Sequence, residues 1–171
     1  MIFGYSSFDE YIEAVFKHVN SEIVIKYLIP LILLINLVFN YLFVSAGGIY
    51  FLMILYCIDF LTGVAKSIKY SLEIVKLKKD GLPIPKEIED KKLVSKKFPR
   101  FLLTLFAALI LLSILKFAGI YSIVFMPLYS IFYAVFLGQQ IISISENFFE
   151  LKLIPIDVVS KLKTKINELK K

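Results

Sequence analysis

The sequence has few of the residues that crosslink a chain or carry out chemistry. It contains one cysteine (Cys57), one histidine (His18), no tryptophan, 7 glycines and 6 prolines among 171 residues. A lone cysteine excludes a disulfide scaffold, and a single His with a single Cys excludes the clustered ligands of a zinc site. Neither a phosphate-binding glycine loop nor a nucleophile elbow is present. The sequence therefore predicts no enzymatic activity, no metal site and no cofactor.

Charge is almost missing from four long blocks, although the whole chain carries a net charge of +6. The chain is 58% hydrophobic with a mean hydropathy of +0.78, which excludes an ordinary soluble domain and a disordered chain. Each block approaches the ~20 residues that a helix needs to cross a bilayer. Only Asp59 and Lys116 are charged within them. The blocks are 27–46, 49–65, 101–118 and 121–144.

These blocks predict helices, because an open sheet in lipid would leave backbone groups unpaired and the alternation of a barrel strand is absent. We therefore predict an all-α membrane protein with four transmembrane helices in two hairpins, the first turning at Gly47-Gly48. The predicted segments are an amphipathic N-terminal helix (1–25), a first transmembrane hairpin (26–66), a basic cytoplasmic connector (67–99), a second transmembrane hairpin (100–145) and a basic amphipathic C-terminal tail (146–171).

Lysine and arginine are distributed unevenly about these spans, and this predicts their orientation. The Gly47-Gly48 turn has no basic residue, and the tail from Glu146 onward has six. We therefore expect both termini and the connector on the cytoplasmic side of the membrane. Because sidedness explains the basic charge, nucleic-acid binding is not predicted. The segment 66–100 holds eleven basic residues: Lys66, Lys69, Lys76, Lys78, Lys79, Lys86, Lys91, Lys92, Lys96, Lys97 and Arg100.

Helical patterns extend beyond the apolar blocks. The pattern of the second block continues to Asp80-Gly81, where Gly81 is the expected left-handed stop. After Pro155 the sequence predicts an amphipathic helix whose lysines lie off its apolar stripe. That stripe suits the anionic inner leaflet and equally a coiled-coil contact. It consists of Val159, Leu162, Ile166 and Leu169.

Asp59 is the most informative residue, because an ionised carboxylate near mid-span costs about 2.5 to 3.5 kcal/mol even on a lenient scale. Thr62, Gly63 and Lys66 follow on the same helical face, and we expect Lys66 to reach back toward Asp59. This polar stripe predicts either a pore lining or subunit contact, or an ion pair that only holds the bundle together. Gln139, Gln140 and Ser143 crowd the end of the fourth block, where they favour interhelical hydrogen bonds or a wet lumen.

Three segments in order resemble the bacteriophage holin family of the toxin-secretion/phage-lysis type. They are IDFLTGVAKSIK (58–69), LVSKKFPRFLL (93–103) and IISISENFFELKLIPIDVVSKLK (141–163). The likeness covers about 49–165 and includes an Asp-aromatic-x-Thr-Gly patch, a Ser-Lys re-entry and a Ser-Ile-x-Glu-Asn stretch. This chain differs in its longer connector and its acidic N-terminal helix. The matching residues are Asp59, Phe60, Thr62, Gly63, Ser95, Lys96, Lys97, Ser143, Ile144, Glu146, Asn147 and Pro155.

The resemblance implies a membrane protein that forms homo-oligomeric holes, through which a peptidoglycan hydrolase or a secreted protein leaves the cell. It adds Glu146 and Asn147 to the expected pore or intersubunit stripe. Two other classes stay open on the residues alone. One is an anchor or scaffold subunit of a larger secretion or defence complex, and the other is a small ion channel that uses Asp59 with Gln139 and Gln140.

Overall fold

The computed structural model describes residues 24–89 and 97–168, and all elements in these ranges are helical. This confirms the all-α part of the predicted fold class. Most of the predicted N-terminal helix (1–25) lies outside the described residues. The α-helices are α1 (Ile29–Leu42), α2 (Ala46–Lys79), α3 (Lys86–Glu89), α4 (Lys97–Tyr121), α5 (Met126–Glu150) and α6 (Ile156–Glu168).

Three helical segments are long and apolar enough to cross a bilayer: Ala46–Lys79, Pro99–Tyr121 and Ile123–Glu150. The first predicted span corresponds to Lys26–Leu42, which is apolar but shorter. Few residues of the three long segments are buried within the chain. Their remaining apolar surface is suited to acyl chains, because lipid solvates such side chains as well as other apolar side chains do.

The described chain divides into two compact units, with the boundary between Leu42 and Phe43. The first unit contains α1, which follows a π-helical turn at Val24–Leu28. Pro30 lies in the first turn of α1, where its missing N–H would have no helical partner in any case. Leu33 and Leu37 of this helix are both exposed.

The second unit begins with a short turn and a helix cap that the sequence reading misplaced. Gly47 and Gly48 were expected in a hairpin turn, but they lie in the first turn of α2. Ser45 is the N-cap, since its backbone is extended and its Oγ accepts a hydrogen bond from the Gly48 N–H at 3.1 Å. The serine side chain satisfies an N–H group that would otherwise be unpaired. This stabilises a helix that begins after Ser45, although two glycines lie in its first turn.

α2 has 34 residues and is therefore about 51 Å long, well beyond the ~30 Å of a hydrocarbon core. Its last turns carry Lys76, Lys78 and Lys79, which favours an extension past the membrane surface. The predicted stop is confirmed: Gly81 has φ +67°. The Gly81 and Leu82 N–H groups donate to the carbonyls of Lys78 and Leu77, which is the Schellman pattern.

α2, α4 and α5 form a three-helix bundle in which α2 and α5 run in the same direction and α4 runs opposite to them. The core contains Ile49, Leu52 and Leu112, which are fully buried, together with Ala108. α4 and α5 are joined at Ser122 and the 3₁₀ turn Ile123–Phe125. The bundle thus holds its core by close packing of small and branched side chains.

Glycine permits two close helix approaches within the second unit. The Tyr133 hydroxyl donates a 2.8 Å hydrogen bond to the Gly48 carbonyl, and a Cβ on Gly48 would lie 3.2 Å from that hydroxyl. On α5, a Cβ on Gly138 would lie 2.7 Å from Ile166 Cγ2. Side chains at either position would push neighbouring groups away.

α6 folds back along α5 after a turn at residues 151–155. Val159 is 3% exposed, Ile166 packs over Gly138, and Lys163 forms an ion pair with Glu146 at 2.5 Å. Two residues of the predicted apolar stripe, Val159 and Ile166, are thus covered within the chain. Leu169, the last residue of that stripe, lies outside the described residues. The lysines of α6 remain exposed.

The turn between α5 and α6 generates a stability prediction. Lys152 has φ +66°, and the Lys152 and Leu153 N–H groups close a second Schellman pattern. Because a non-glycine residue in the left-handed region costs about 1 to 2 kcal/mol, Lys152→Gly should raise the free energy of unfolding by about 1 kcal/mol. Reversible unfolding in mixed micelles, followed by helical circular dichroism, measures this. Lys152→Ala is the control for the lost charge and should give no such gain.

Candidate functional site

The side-chain amide of Asn147 ties α5 to the polar stripe of α2. Its Nδ2 donates to Asp59 Oδ1 at 3.0 Å and to Thr62 Oγ1 at 3.1 Å, and it lies 3.4 Å from the Asp59 carbonyl oxygen. Thr62 Oγ1 in turn donates to that carbonyl at 3.0 Å. We call Asp59, Thr62 and Asn147 the polar node.

The polar node is sheltered by protein. Asn147 is only 5% exposed, and Asp59 and Thr62 are partly buried. A Cβ on Gly63 would lie 3.8 Å from Asn147 Nδ2, so a small residue here leaves the amide room to reach α2. Ser143, one turn before Asn147 on α5, also contacts the Asp59 side chain. The structure thus brings together most of the polar residues that the sequence singled out on both helices.

Lys66 has a partner that was not expected. Its Nζ lies 3.8 Å from Glu150 Oε1, and it also interacts electrostatically with Asp59, toward which it had been predicted to reach. Lys69 Nζ donates to the Glu150 carbonyl at 2.7 Å and the Tyr70 hydroxyl donates to Glu150 Oε2 at 3.0 Å. The physical reason is that Glu150 ends α5, where its carboxylate and the negative end of the helix dipole both attract cations.

Lys69, Tyr70 and Glu150 were missed by sequence reasoning. A signal was available: Lys69 and Tyr70 lie three and four residues after Lys66 and therefore share its helical face. The partner on α5 could not be predicted, since nothing local in the sequence indicates which turn of α5 faces Lys66.

A cavity of about 540 Å³ lies between α2, α4 and α5. Of the nine predicted stripe residues, Thr62 and Glu146 do not line it. Tyr56, Phe60 and Val64 on α2 and Arg100, Phe101 and Thr104 on α4 complete the wall. The predicted residues that do line it are Asp59, Gly63, Lys66, Gln139, Gln140, Ser143 and Asn147.

The two glutamines differ in environment. Gln140 is 8% exposed, and its Oε1 has no hydrogen-bond partner among the described residues. Gln139 is exposed at the cavity edge. Consecutive residues on a helix point about 100° apart, which explains why one amide is buried and the other is not.

Glu146 contacts α6 and also acts on the polar node. It pairs with Lys163 of α6, and both side chains are 46% exposed. An ion pair with this much solvent access contributes little, about 0 to 1 kcal/mol. Its carboxylate also interacts electrostatically with Asp59 of the polar node.

The chemistry of this site is hydrogen bonding and ion pairing between helices. Among the described residues, no group of three or more His, Cys, Asp or Glu side chains is placed to hold a metal ion. The described polar groups can bind a ligand, hold helices together or exchange partners with another copy of the chain.

The polar node should give a measurable coupling energy. We expect a double-mutant cycle of Asp59→Ala and Asn147→Ala to give about 1 kcal/mol, because interhelical hydrogen bonds in membranes contribute about 0.6 to 1.7 kcal/mol. Unfolding in mixed micelles measures each variant. The control cycle pairs Asp59→Ala with Thr104→Ala, since Thr104 Oγ1 donates to carbonyls of its own helix. Equal coupling in the two cycles would contradict a specific Asp59–Asn147 bond.

Comparison with known proteins is consistent with this reading of the chain. No curated protein and no solved structure shows a significant match. The model of the bacteriophage holin family matches residues 37–171, which include the complete polar node and the cavity. Because that match covers well over half of its length, the chain belongs to the bacteriophage holin family.

Proposed function

We propose that this protein inserts into the bacterial cytoplasmic membrane, oligomerises there, and forms holes that release a peptidoglycan hydrolase or a secreted protein. The observation that carries the proposal is the polar node between helices whose other faces are largely apolar and exposed. Family membership supports the same function.

The energy of the polar node suits a contact that can be exchanged. Each interhelical hydrogen bond contributes only about 0.6 to 1.7 kcal/mol, so an equivalent bond to another subunit or to water in a lumen replaces it at little cost. Movement of one charge through the membrane potential contributes about 2.3 kcal/mol per 100 mV. In our mechanism Asp59, Thr62 and Gly63 face α5 before opening and face another subunit or the lumen afterwards.

We further propose four spans with both termini in the cytoplasm. Lys26–Leu42 has 17 residues, the lower limit of the range for a spanning helix. The basic residues favour the same orientation, since they cluster after α2 and in α6 and the exposed lysines of α6 suit an anionic inner leaflet.

Cysteine labelling tests this topology in a Cys57→Ser background. We expect Ser122→Cys to react with a membrane-impermeant maleimide in intact spheroplasts, whereas Lys86→Cys and Glu168→Cys should react only after permeabilisation. Ser7→Cys distinguishes four spans from three. Protection in intact spheroplasts supports four, and reaction from outside would show that Lys26–Leu42 does not cross.

Release of cargo tests the function directly. Induced production of the chain with a cytoplasmic hydrolase should cause abrupt lysis after a delay, and a folded reporter protein should leave the cell at the same moment. Depolarisation without reporter release would indicate an ion channel. Tolerated expression with copurification of a larger complex would indicate a scaffold.

Asp59→Asn should delay lysis severalfold, because it keeps the side-chain shape but removes the charge whose hydration and movement in the field favour opening. The measurement is optical density after induction, with crosslinking to display oligomers. Asp157→Asn, which neutralises an exposed acid on α6, is the matched control and should keep the original timing. Unchanged timing and an unchanged oligomer ladder for Asp59→Asn would remove this residue from the mechanism.

A further inference from the structure

The cavity between α2, α4 and α5 has features that hole formation does not require. Its volume of about 540 Å³ lies in the range of sites for small organic molecules, about 300 to 1,000 Å³. Its polar residues come from three helices, and its lining includes one acid and two bases. These features are typical of a binding site.

Two side chains that line the cavity carry hydrogen-bond acceptors. They are the half-buried Asp59 carboxylate and the Gln140 side chain, whose Oε1 is buried without a partner among the described residues. The Tyr56 hydroxyl contacts the same glutamine. A buried carbonyl oxygen with no donor is unfavourable, so rotation of this amide toward a ligand would gain a hydrogen bond. The two acceptors are suited to a ligand group that is cationic and carries several N–H donors.

Two cationic side chains line the same cavity. Phe60 and Phe101 stack with ring centroids 4.8 Å apart, which places Arg100, the neighbour of Phe101, at the level of Asp59 along α2. Lys66 lies two turns beyond Asp59, and its contact with Glu150 is long at 3.8 Å. Arg100 is exposed. A guanidinium and an ammonium that line one cavity are suited to an anion, above all a phosphate.

Apolar groups complete the wall. Phe60, Phe101 and Val64 also line the cavity. The cavity extends from Asp59, inside an apolar block, to Lys66 and Arg100, where the charged parts of α2 and α4 begin. Its basic end therefore lies at the level at which phospholipid headgroups meet a membrane protein.

We propose that this cavity binds a ligand that carries a primary ammonium and a phosphate a few bonds apart, the chemistry of an ethanolamine phospholipid headgroup. The ammonium would donate to Asp59 and Gln140, and the phosphate would accept from Arg100 and Lys66. This goes beyond hole formation, because the site is complete within one chain and its occupancy is measurable in a protein that never opens a membrane.

Native mass spectrometry of the full chain, with lipids of matched acyl chains, tests the proposal. We expect phosphatidylethanolamine to bind at least about fivefold more tightly, a little over 0.9 kcal/mol, than phosphatidylcholine or phosphatidylglycerol. A choline headgroup has no N–H donor and a glycerol headgroup has no ammonium. Equal binding of the three lipids, or preference for phosphatidylglycerol, would overturn the proposal.

Substitutions test whether the lipid binds in this cavity. Arg100→Gln and Gln140→Leu should each abolish the preference for ethanolamine lipid, while Lys116→Gln, which removes a base near the other end of α4, should keep it. Arg100 is exposed, so its replacement leaves the bundle folded, and circular dichroism checks this. Loss of the preference in Lys116→Gln as well would contradict the assigned site.

Free phosphoethanolamine separates the two sources of this chemistry. We expect it to bind weakly, because it lacks the glycerol and acyl groups that the apolar wall would contact. Binding as tight as that of the lipid would support the ammonium–phosphate site and identify a soluble ligand as its occupant. Failure of both ligands would overturn the proposal and leave the lysis experiments unaffected.

Discussion

A carboxylate placed between helices that otherwise offer apolar side chains needs hydrogen-bond donors from a neighbouring helix, and this constraint organises the bundle. Asp59 obtains its donor from Asn147, and Thr62 shares that donor. The bond sets the register between α2 and α5, which run in the same direction. The Tyr133–Gly48 bond near one end and the Glu150 contacts near the other agree with this register.

In the described part of the chain, the bundle has a small buried core and few polar contacts between its helices. Hydrophobic association between membrane helices is weak, because lipid tails solvate apolar side chains as well as protein does. Close approach at glycine and a small number of interhelical bonds therefore carry much of the specificity. Helices in such an assembly can exchange partners readily. This suits a protein whose helices have one arrangement before it acts and another when it acts.

Sequence reasoning succeeded where a local rule decides the outcome. Gly81 ends α2 because glycine tolerates the left-handed conformation, and the long apolar blocks are helical because lipid demands internal backbone bonds. It failed where two local rules competed or where the partner was remote. Ser45 as a cap overrode the glycine pair at 47–48, and the contact of Lys66 with Glu150 was not predicted.

Composition and hydropathy by themselves determined that this chain is a helical membrane protein, and the cost of a charge in lipid marked Asp59 as sheltered. The tertiary structure alone decided that Asn147 is its donor, that Glu146 pairs with Lys163 of α6, and that a cavity lined by Gln140 lies beside it. The physical reason is that the cost of burying a side chain depends on its residue type, so the sequence alone indicates it. Contact partners depend on the relative rotation and register of separate helices, which small differences in packing set.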